Sequence, residues 1–232
     1  MRGSLKSVDA LILCGGLGTR LRSEIGDTQK VMAEVDGRPF LDFNIELLRN
    51  QGVERIILGT GFQSNQVEEY YRKKDKSLIF SSEKSPLGTG GAIKNAQTLI
   101  NSNPFFVLNG DSFCQTDLKA ILDFHQKNKA LATVVLSKVI DSRDYGRVVI
   151  DDRGEILNFN EKEECREGYV NAGIYCLDQK IFSLMPKETK FSLEHDCFSQ
   201  WIGQSFYGFV VDQEFYDIGT PERYQKIKMQ KL

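Results

Sequence analysis

The chain has 232 residues, which is enough for one large α/β domain but too few for two full-sized ones. Its apolar fraction of 41% and charged fraction of 27% are those of an ordinary globular protein. The net charge is −2, with basic and acidic residues spread along the whole length, and this balance gives no reason to expect the basic stripe of a nucleic-acid-binding surface. An anionic ligand must therefore meet a local group of Arg and Lys side chains.

The five cysteines are widely spaced and never form a CxxC pair. This spacing fits neither a disulfide framework nor a zinc ribbon, and it indicates reduced thiols in a cytoplasmic protein. Nothing in the sequence pairs His125 with His195 as metal ligands, so both are interpreted as surface or core residues. No apolar run approaches the roughly 18 residues of a membrane span, and residues 1–9 lack the apolar segment of a secretory signal. We expect a cytoplasmic protein that contacts neither membranes nor nucleic acid.

Short apolar runs alternate with helical patterns through the first half of the chain. The runs at 8–14, 55–60, 77–81 and 105–108 predict strands. Helical patterns follow Pro39 as far as Gly52 and cover 63–73 and 89–100. This alternation predicts a parallel sheet with helices on both faces, as in Rossmann-like α/β folds.

The second half of the chain is richer in strands. Strands are predicted at 131–138, 146–150, 156–159, 169–177 and 208–211, with a hairpin-like turn at 152–154. Helical patterns cover 179–185 and 193–202, and a last helix is predicted near Pro221, which suits a first helical turn. The expected architecture is one α/β domain over 1–232, with a mixed, mostly parallel central sheet flanked by helices.

The sharpest local feature is the glycine-rich segment GGLGTRLR at 15–22, directly after the first predicted strand. Glycines at a strand end let backbone N–H groups approach phosphate oxygens closely. Arg20, and Lys30 ten residues after it, add positive charge where a polyphosphate would lie. A tight turn with surface basic residues is the alternative interpretation. The spacing matches neither GxxxxGK[ST] nor GxGxxG, so a kinase or dehydrogenase loses its main support.

Three further segments are candidates for a binding site. A second glycine-rich segment, SPLGTGGA at 85–92, opens a helix, where small residues either border a flat base or pack the helix closely on the sheet. Asp111 follows an apolar strand, at the carboxyl edge where ligands bind in open α/β sheets. Asp217 lies in YDIGTPE at 216–222. Each aspartate alone would more often be a turn or N-cap residue.

Taken in order, these segments resemble the motifs of the sugar-1-phosphate nucleotidyltransferase family. The resembling motifs are GGxGTRL with a Lys ten residues after the Arg, PLGTAGAL, the strand-end aspartate, and W-x-D-x-G-T-P, together with shorter matches at 145–146, 159–162 and 171–175. They cover nearly the whole chain. This sequence has Ser23, Gln29 and Val31 where the family usually has proline, and Tyr216 where it has Trp. The course of the loop between Arg20 and Lys30 is therefore left open.

The resemblance implies a nucleotide-diphospho-sugar transferase fold, with a nucleotide-binding half at about 1–112 and a sugar-phosphate-binding half at about 113–232. It implies Mg²⁺ as cofactor, held by Asp111 and Asp217. The implied catalytic residues are Arg20, Lys30 and Lys162. The implied nucleotide-binding residues are Leu13, Gly15, Gly16, Gly18, Thr19, Pro86, Gly88, Thr89, Asn109 and Gly110. The implied sugar-phosphate-binding residues are Gly146, Glu161, Lys162 and Asn171.

Within the family, the pattern is most similar to bacterial D-glycero-α-D-manno-heptose 1-phosphate guanylyltransferases. That resemblance implies GTP and a heptose 1-phosphate as substrates and GDP-heptose, for surface polysaccharide, as product. Mannose 1-phosphate as the sugar, and UTP or dTTP with another sugar, remain open because the base contacts near Ser82, Glu83 and Pro86 are not determined by sequence. Two other classes remain open, namely an inactive sugar-nucleotide sensor and a glycosyltransferase. A homo-oligomer is also compatible with the sequence.

Overall fold

The computed structural model describes residues 5–16, 18–61, 65–139, 146–160 and 168–230, with the backbone alone at position 160. Its strands are β1 Asp9–Leu13, β2 Glu34–Val35, β3 Arg38–Pro39, β4 Arg55–Thr60, β5 Ile79–Ser82, β6 Phe105–Asn109, β7 Ser112–Cys114, β8 Ala132–Val139, β9 Arg147–Ile150, β10 Ile156–Asn160, β11 Gly168–Leu177, β12 Phe206–Val211 and β13 Phe215–Asp217. Its helices are α1 Arg22–Ile25, α2 Leu41–Asn50, α3 Asn65–Lys74, α4 Gly88–Asn95, α5 Leu118–Lys127, α6 Ile181–Leu184, α7 Leu193–Asp196, α8 Phe198–Trp201 and α9 Pro221–Met229. Short 3₁₀ turns occur at Leu5–Ser7, Thr19–Leu21, Lys30–Met32 and Gln97–Leu99.

One mixed sheet forms the centre of the molecule, as the sequence predicted. Its strands run in the order β10-β9-β11-β6-β1-β4-β5, and β8 joins at β11 and carries β12 on its other side. The strands β6, β1, β4 and β5 are parallel, as are β8 and β12. The strand β11 runs antiparallel to β6, β8 and β9, so the antiparallel part lies in the second half of the chain.

The core lies on both faces of this sheet. Along β1 every side chain is buried, which is the pattern of a central strand covered on both sides. Ala10 and Ile12 pack into one cluster, whereas Leu11 and Leu13 pack into the other. This alternation follows from the two-residue period of side chains along a strand. Because both faces of the sheet are covered, the ends of the parallel strands form the exposed edge where polar loops lie.

Several elements differ from the predictions. The helix expected at 89–100 ends at Asn95 and continues as a 3₁₀ turn, and the one expected at 193–202 is the separate pair α7 and α8. The helix α5 and the strands β7 and β13 were not predicted. For α5 the signal was present, since Asp117 caps it by accepting from the N–H of Ala120.

Among the described residues, the two histidines differ in burial and the cysteines are free thiols. His125 is buried against the hydroxyl of Thr133, and burial lowers its pKa to about 4. His195 is exposed. The cysteines within those ranges are buried thiols, at Cys14, Cys114, Cys176 and Cys197. Among the described residues, no helix has the length and apolar character needed to cross a membrane.

Candidate active site

The loop after β1 is shaped by its glycines. Gly16 has φ +122° and Gly18 has φ +57°, backbone conformations that side-chain-bearing residues rarely adopt. The loop after β4 crosses it closely, because a Cβ atom on Gly61 would collide with the Cα of Gly15. Gly15 and Gly16 are exposed, so their main chain is accessible to a ligand. Leu17, between them and Gly18, lies outside the described residues.

The predicted basic residues follow the loop in space as well as in sequence. Thr19 and Arg20 form the 3₁₀ turn after Gly18, and both are exposed. A Cβ atom on Gly18 would lie 3.3 Å from Cβ of Lys30, so the two segments are in contact. The region between Arg20 and Lys30, which the sequence left open, consists of the short helix α1 and a turn.

Lys30 forms an ion pair with Asp111. Its Nζ lies 2.6 Å from Oδ2 of Asp111, with 15% of the Lys30 side chain and 42% of the Asp111 side chain exposed. Asp111 is held beside the end of β1, because the N–H of Gly110 donates to the carbonyl of Leu13 at 2.9 Å. A Cβ atom on Gly110 would lie 2.7 Å from that carbonyl oxygen, so only glycine fits this turn. Leu13 is itself buried and contributes its backbone here.

Asp217 is brought next to Asp111 by the antiparallel pairing of β7 with β13, two strands that are far apart in the sequence. Asp217 lies opposite Ser112 in the strand register, and the N–H of Ile218 donates to the carbonyl of Asp111 at 3.1 Å. The Asp217 side chain is 12% exposed, and its Oδ1 accepts from the N–H of Gly219 at 2.7 Å. The two predicted aspartates, far apart in sequence, are therefore neighbours at the same edge of the sheet. Asn44 supports the arrangement by donating to the carbonyl of Ser112.

The donor set at this edge suits a hard divalent cation that keeps other ligands. Asp111 and Asp217 supply two carboxylates, and no group of three His, Cys, Asp or Glu side chains in the described residues could hold a metal by itself. Mg²⁺ is commonly bound by one or two carboxylates plus phosphate oxygens and waters. The pair therefore fits a metal that arrives with a phosphate ligand, and it does not fit a closed structural site.

The second glycine-rich segment is packed against another part of the chain. Cβ atoms on Gly90 and Gly91 would collide with the Phe191 ring and with the carbonyl of Thr189. The N–H groups of Gly90 and Gly91 both donate to the carbonyl of Phe191. Of the two alternatives, close packing is therefore observed at these two glycines, and their partner is the segment before α7. These two glycines are explained without a ligand.

The predicted nucleotide-binding residues in this segment divide into two groups. Pro86 and Gly88 are exposed. Thr89 is engaged within the protein: its hydroxyl donates to Glu194 at 2.7 Å and accepts from the N–H of Leu193 at 2.8 Å. Contact of Thr89 with a nucleotide remains a prediction.

Glu83 connects the two glycine-rich segments. Its Oε2 accepts from the N–H of Leu87 at 3.2 Å, and its Oε1 lies 3.7 Å from where a Cβ on Gly15 would be. Desolvation raises the pKa of this carboxyl above its ordinary value, because the side chain is partly buried. The sequence placed Glu83 near the base without assigning it a role.

A polar network lies across β6 and β11. Tyr175 accepts from Asn171 at 2.9 Å and from Asn109 at 3.4 Å, and its hydroxyl donates to Glu194 at 3.3 Å. A bulge in β11 presses Gly173 against the hydroxyl of Ser112. The predicted residues Asn109 and Asn171 are thus brought together beside the aspartates. Tyr175 and Glu194 were not predicted as site residues, because nothing in their sequence positions pairs them.

Two predicted sugar-phosphate residues, Glu161 and Lys162, lie outside the described residues. Gly146 is exposed and immediately precedes β9, next to β11 in the sheet. The described geometry therefore contains the nucleotide side of the predicted site and only part of the sugar side.

Comparisons with known proteins identify what this geometry is similar to. The profile of the nucleotidyl transferase family matches residues 9–232. A D-glycero-α-D-manno-heptose 1-phosphate guanylyltransferase from Aneurinibacillus thermoaerophilus is 37% identical over 222 residues, covering 94% of this chain and 96% of the relative. A mannose-1-phosphate guanylyltransferase from Mycobacterium tuberculosis is 33% identical over 222 residues. The match covers 93% of this chain and 62% of the longer relative.

A solved structure matches the fold over almost the whole chain. It is HddC from Yersinia pseudotuberculosis complexed with GMP-PN, with a TM-score of 0.86, 37% sequence identity, and coverage of 96% of this chain and 99% of that one. The mixed sheet flanked by helices is therefore shared along nearly the full length of both chains.

Proposed function

The chain belongs to the nucleotidyl transferase family, and we propose that it transfers GMP from GTP to D-glycero-α-D-manno-heptose 1-phosphate. The products are GDP-heptose and pyrophosphate, and we place the product in the supply of nucleotide sugars for polysaccharide. The observation that carries the proposal is the Lys30–Asp111 ion pair with Asp217 beside it, at the exposed end of β1 and β6. Support for the substrates comes from two relatives, 37% and 36% identical, that are named for this heptose.

The polyphosphate is proposed to lie along the loop after β1. The exposed main chain at Gly15 and Gly16 offers N–H groups, and Gly18 and Thr19 lead into the 3₁₀ turn that carries Arg20. The Arg20 guanidinium is proposed to bind the departing pyrophosphate, because its planar donors match phosphate oxygens.

Asp111 and Asp217 are proposed to hold Mg²⁺. When bound, the ion would draw electron density from the α-phosphate and offset its negative charge. Lys30 keeps the Asp111 carboxylate in place through the 2.6 Å contact and adds positive charge beside the transferred phosphate. The hydrogen bond from the N–H of Ile218 to the carbonyl of Asp111 joins the two backbone segments that carry these carboxylates.

The proposed reaction is an in-line displacement at phosphorus. An anionic oxygen of the sugar 1-phosphate forms a bond to the α-phosphorus of GTP, and the bond from that phosphorus to the bridging oxygen breaks, with its electron pair leaving on pyrophosphate. The nucleophile is already ionised, so no general base is needed. The barrier is the repulsion of two anions, and Arg20, Lys30 and, on the sugar side, Lys162 lower it by position and charge.

The position and charge of Glu83 support guanine as the base of the nucleotide substrate. A carboxylate can accept from both N1–H and the N2 amino group of guanine, whereas uracil and thymine present one N–H donor. Glu83 is partly buried, and its Oε1 faces the loop at Gly15. A nucleotide bound by that loop is proposed to place its base next to this carboxylate. Ionised Glu83 is therefore proposed to favour GTP over UTP and dTTP.

The sugar is proposed to lie over Asn171 and Gly146, with Glu161 and Lys162 completing the site. Asn171 is fixed by its contacts to Gly173 and Tyr175, so its amide has one orientation. A fixed amide of this kind is suited to a sugar hydroxyl because little side-chain entropy is lost on binding.

Pyrophosphate release measures this function directly. Five triphosphates (GTP, UTP, dTTP, CTP and ATP) are combined with heptose, mannose and glucose 1-phosphates, and GTP with the heptose is expected to have the highest kcat/KM. Asp111→Asn is expected to reduce turnover by on the order of 10² or more, as for loss of one stabilising group. Pyrophosphate release with mannose 1-phosphate, and with neither of the other sugar 1-phosphates, would show that mannose 1-phosphate and not the heptose 1-phosphate is the substrate. No release with any pair, with GTP still bound, would instead support an inactive sensor.

A further inference from the structure

The Asp217 carboxylate already binds a cation from its own chain. The Nη1 of Arg223 lies 3.0 Å from Oδ1 and 3.2 Å from Oδ2 of Asp217. One nitrogen is thus placed between both carboxylate oxygens, which is also where a cation chelated by that carboxylate would lie. A divalent cation at Asp217 must share this carboxylate with Arg223 or displace the guanidinium.

The position of Arg223 in α9 does not by itself account for an arginine. Arg223 is in the first turn of the helix, where Thr220 caps the N-terminus by accepting from the Arg223 N–H. A positive side chain in the first turn opposes the helix dipole. Its side chain is nevertheless 22% exposed and directed to Asp217, so the ion pair and not the helix explains its position.

The turn between the two residues is built tightly around the pair. A Cβ atom on Gly219 would lie 2.5 Å from Oδ1 of Asp217 and 3.4 Å from Nη1 of Arg223. Any other residue would push the carboxylate or the guanidinium aside. The close approach holds the Asp217 carboxylate in one orientation while the guanidinium covers it.

Asp111 differs in this respect. Its cation, Lys30, contacts one carboxylate oxygen, and the Asp111 side chain is 42% exposed against 12% for Asp217. An incoming cation can therefore reach Asp111 more readily than Asp217. The two carboxylates of the proposed metal site therefore differ in accessibility, because Lys30 contacts one oxygen of Asp111 whereas Arg223 contacts both oxygens of Asp217.

We propose that Arg223 is a positioning residue that competes with the divalent metal for Asp217. The free enzyme then binds the metal weakly, since the carboxylate is available only in the fraction of molecules whose guanidinium has moved away. A bound triphosphate removes the competition, because its oxygens offer the guanidinium an alternative partner. The metal consequently binds tightly only together with the nucleotide. This inference rests on the proposed function, in which Asp217 is a metal ligand.

Mn²⁺ binding followed by electron paramagnetic resonance tests the proposal without using activity. Arg223→Gln removes the charge and keeps a polar side chain, and in the absence of nucleotide it is expected to bind Mn²⁺ about tenfold more tightly or better than the wild type. Arg223→Met is a second neutral variant with the same expectation. Arg223→Lys keeps the charge and is expected to stay near the wild type. With GTP present, the difference between wild type and Arg223→Gln is expected to shrink.

Lys226→Gln is the matched control. Lys226 is one turn further along α9, 65% exposed, and 3.8 Å from Glu214, so its loss removes the same charge away from Asp217. Its Mn²⁺ affinity is expected to change by less than about twofold, since an exposed charge is screened. An equal gain in Mn²⁺ affinity in Lys226→Gln and Arg223→Gln would overturn the proposal, because the loss of any positive charge on α9 would then be enough to strengthen Mn²⁺ binding.

Asp217→Asn separates this inference from the proposed function. If Asp217→Asn weakens Mn²⁺ binding in the presence of GTP, but both neutral Arg223 variants bind Mn²⁺ without nucleotide no more tightly than the wild type, the competition is refuted and the metal ligand stands. If Asp217→Asn leaves Mn²⁺ binding unchanged in the presence of GTP, the metal assignment itself is wrong and the competition is refuted with it.

Discussion

The glycine-rich loop after β1 and the glycine-rich start of α4 lie on either side of Glu83, and their glycines have different surroundings. A Cβ atom on Gly16 would meet nothing within 4 Å, and the residue is exposed with φ +122°. Cβ atoms on Gly90 and Gly91 would collide with the segment that packs on α4, at Phe191 and Thr189. In the first region glycine permits a backbone conformation, and in the second it permits contact between two segments.

This difference shows that a glycine pattern specifies small residues without specifying why they are needed. The exposed main chain after β1 can bind a ligand, whereas the N–H groups at Gly90 and Gly91 already donate to a carbonyl. We therefore expect changes near the first region to affect chemistry and changes within the second to affect stability.

Lys30→Ala gives the largest expected effect and tests the first half of this comparison. Turnover is expected to fall by about 10²–10³, because a preorganised charge beside the transferred phosphate is lost. The urea midpoint of unfolding is expected to change little, since Asp111 remains 42% exposed and hydrated. The measurement is pyrophosphate release together with urea unfolding, with the exposed Lys226→Ala as control. Normal turnover in Lys30→Ala would remove Lys30 from the catalytic group.

Glu83→Gln, between the two regions, tests base selection. The amide replaces one acceptor by a donor, so the preference for GTP over UTP in kcat/KM is expected to fall by on the order of 10- to 100-fold, as for loss of a charged hydrogen bond. Glu46→Gln is the control, since Glu46 is on α2 in an ion pair with Arg38. An unchanged GTP preference in Glu83→Gln would assign base recognition to other groups.

Gly91→Ala tests the second half of the comparison. The added methyl group collides with the carbonyl of Thr189, and such overpacking is expected to reduce the free energy of unfolding by about 1–3 kcal/mol. The turnover per folded molecule is expected to remain close to that of the wild type. Urea unfolding and active-site-normalised kinetics measure the two quantities. Lost GTP binding at full stability would show instead that α4 binds the nucleotide through Gly91.

The pH dependence of GTP binding gives the smallest expected effect. Because desolvation raises the pKa of Glu83, its carboxyl takes up a proton at a higher pH than an exposed glutamate. GTP affinity is expected to fall as the pH is lowered through that raised pKa, by at most about tenfold per pH unit, and to be retained above it. Calorimetric titration of GTP from neutral to acid pH measures this. Glu83→Gln is expected to lose the dependence, and a wild-type dependence that persists in the variant would contradict it.

The regular elements were largely predictable because they depend on local patterns. The strand Arg55–Thr60 was predicted at its observed bounds, and β1, β6 and β11 within one or two residues. The strands β7 and β13 were not predicted, because each has three residues and exists only through pairing with the other. The helix from Leu193 was predicted as one element, but it breaks at Cys197 into α7 and α8.

The candidate site was predictable to a different degree. The resemblance to a family supplied its residues. In the structure Lys30 pairs with Asp111, and Asp217 lies opposite Ser112 in the strand register, while the roles of all three stay predictions. The glycines of α4 were left with two interpretations, which differ only in what lies opposite them. The roles of Glu83 and Glu194 had no sequence signal, because their partners are distant in the chain.

By itself the sequence determined the alternation of the main strands and helices, the glycine-rich turn after the first strand, and the family to which the chain belongs. Only the tertiary structure decided that Phe191 fills the space beside α4 and that Lys30 and Arg223 each pair with one of the two aspartates. The physical reason is the range of the interactions. Periodicity and turn chemistry act between near neighbours in the chain, whereas an ion pair or a packing contact depends on segments that meet only after the sheet has formed.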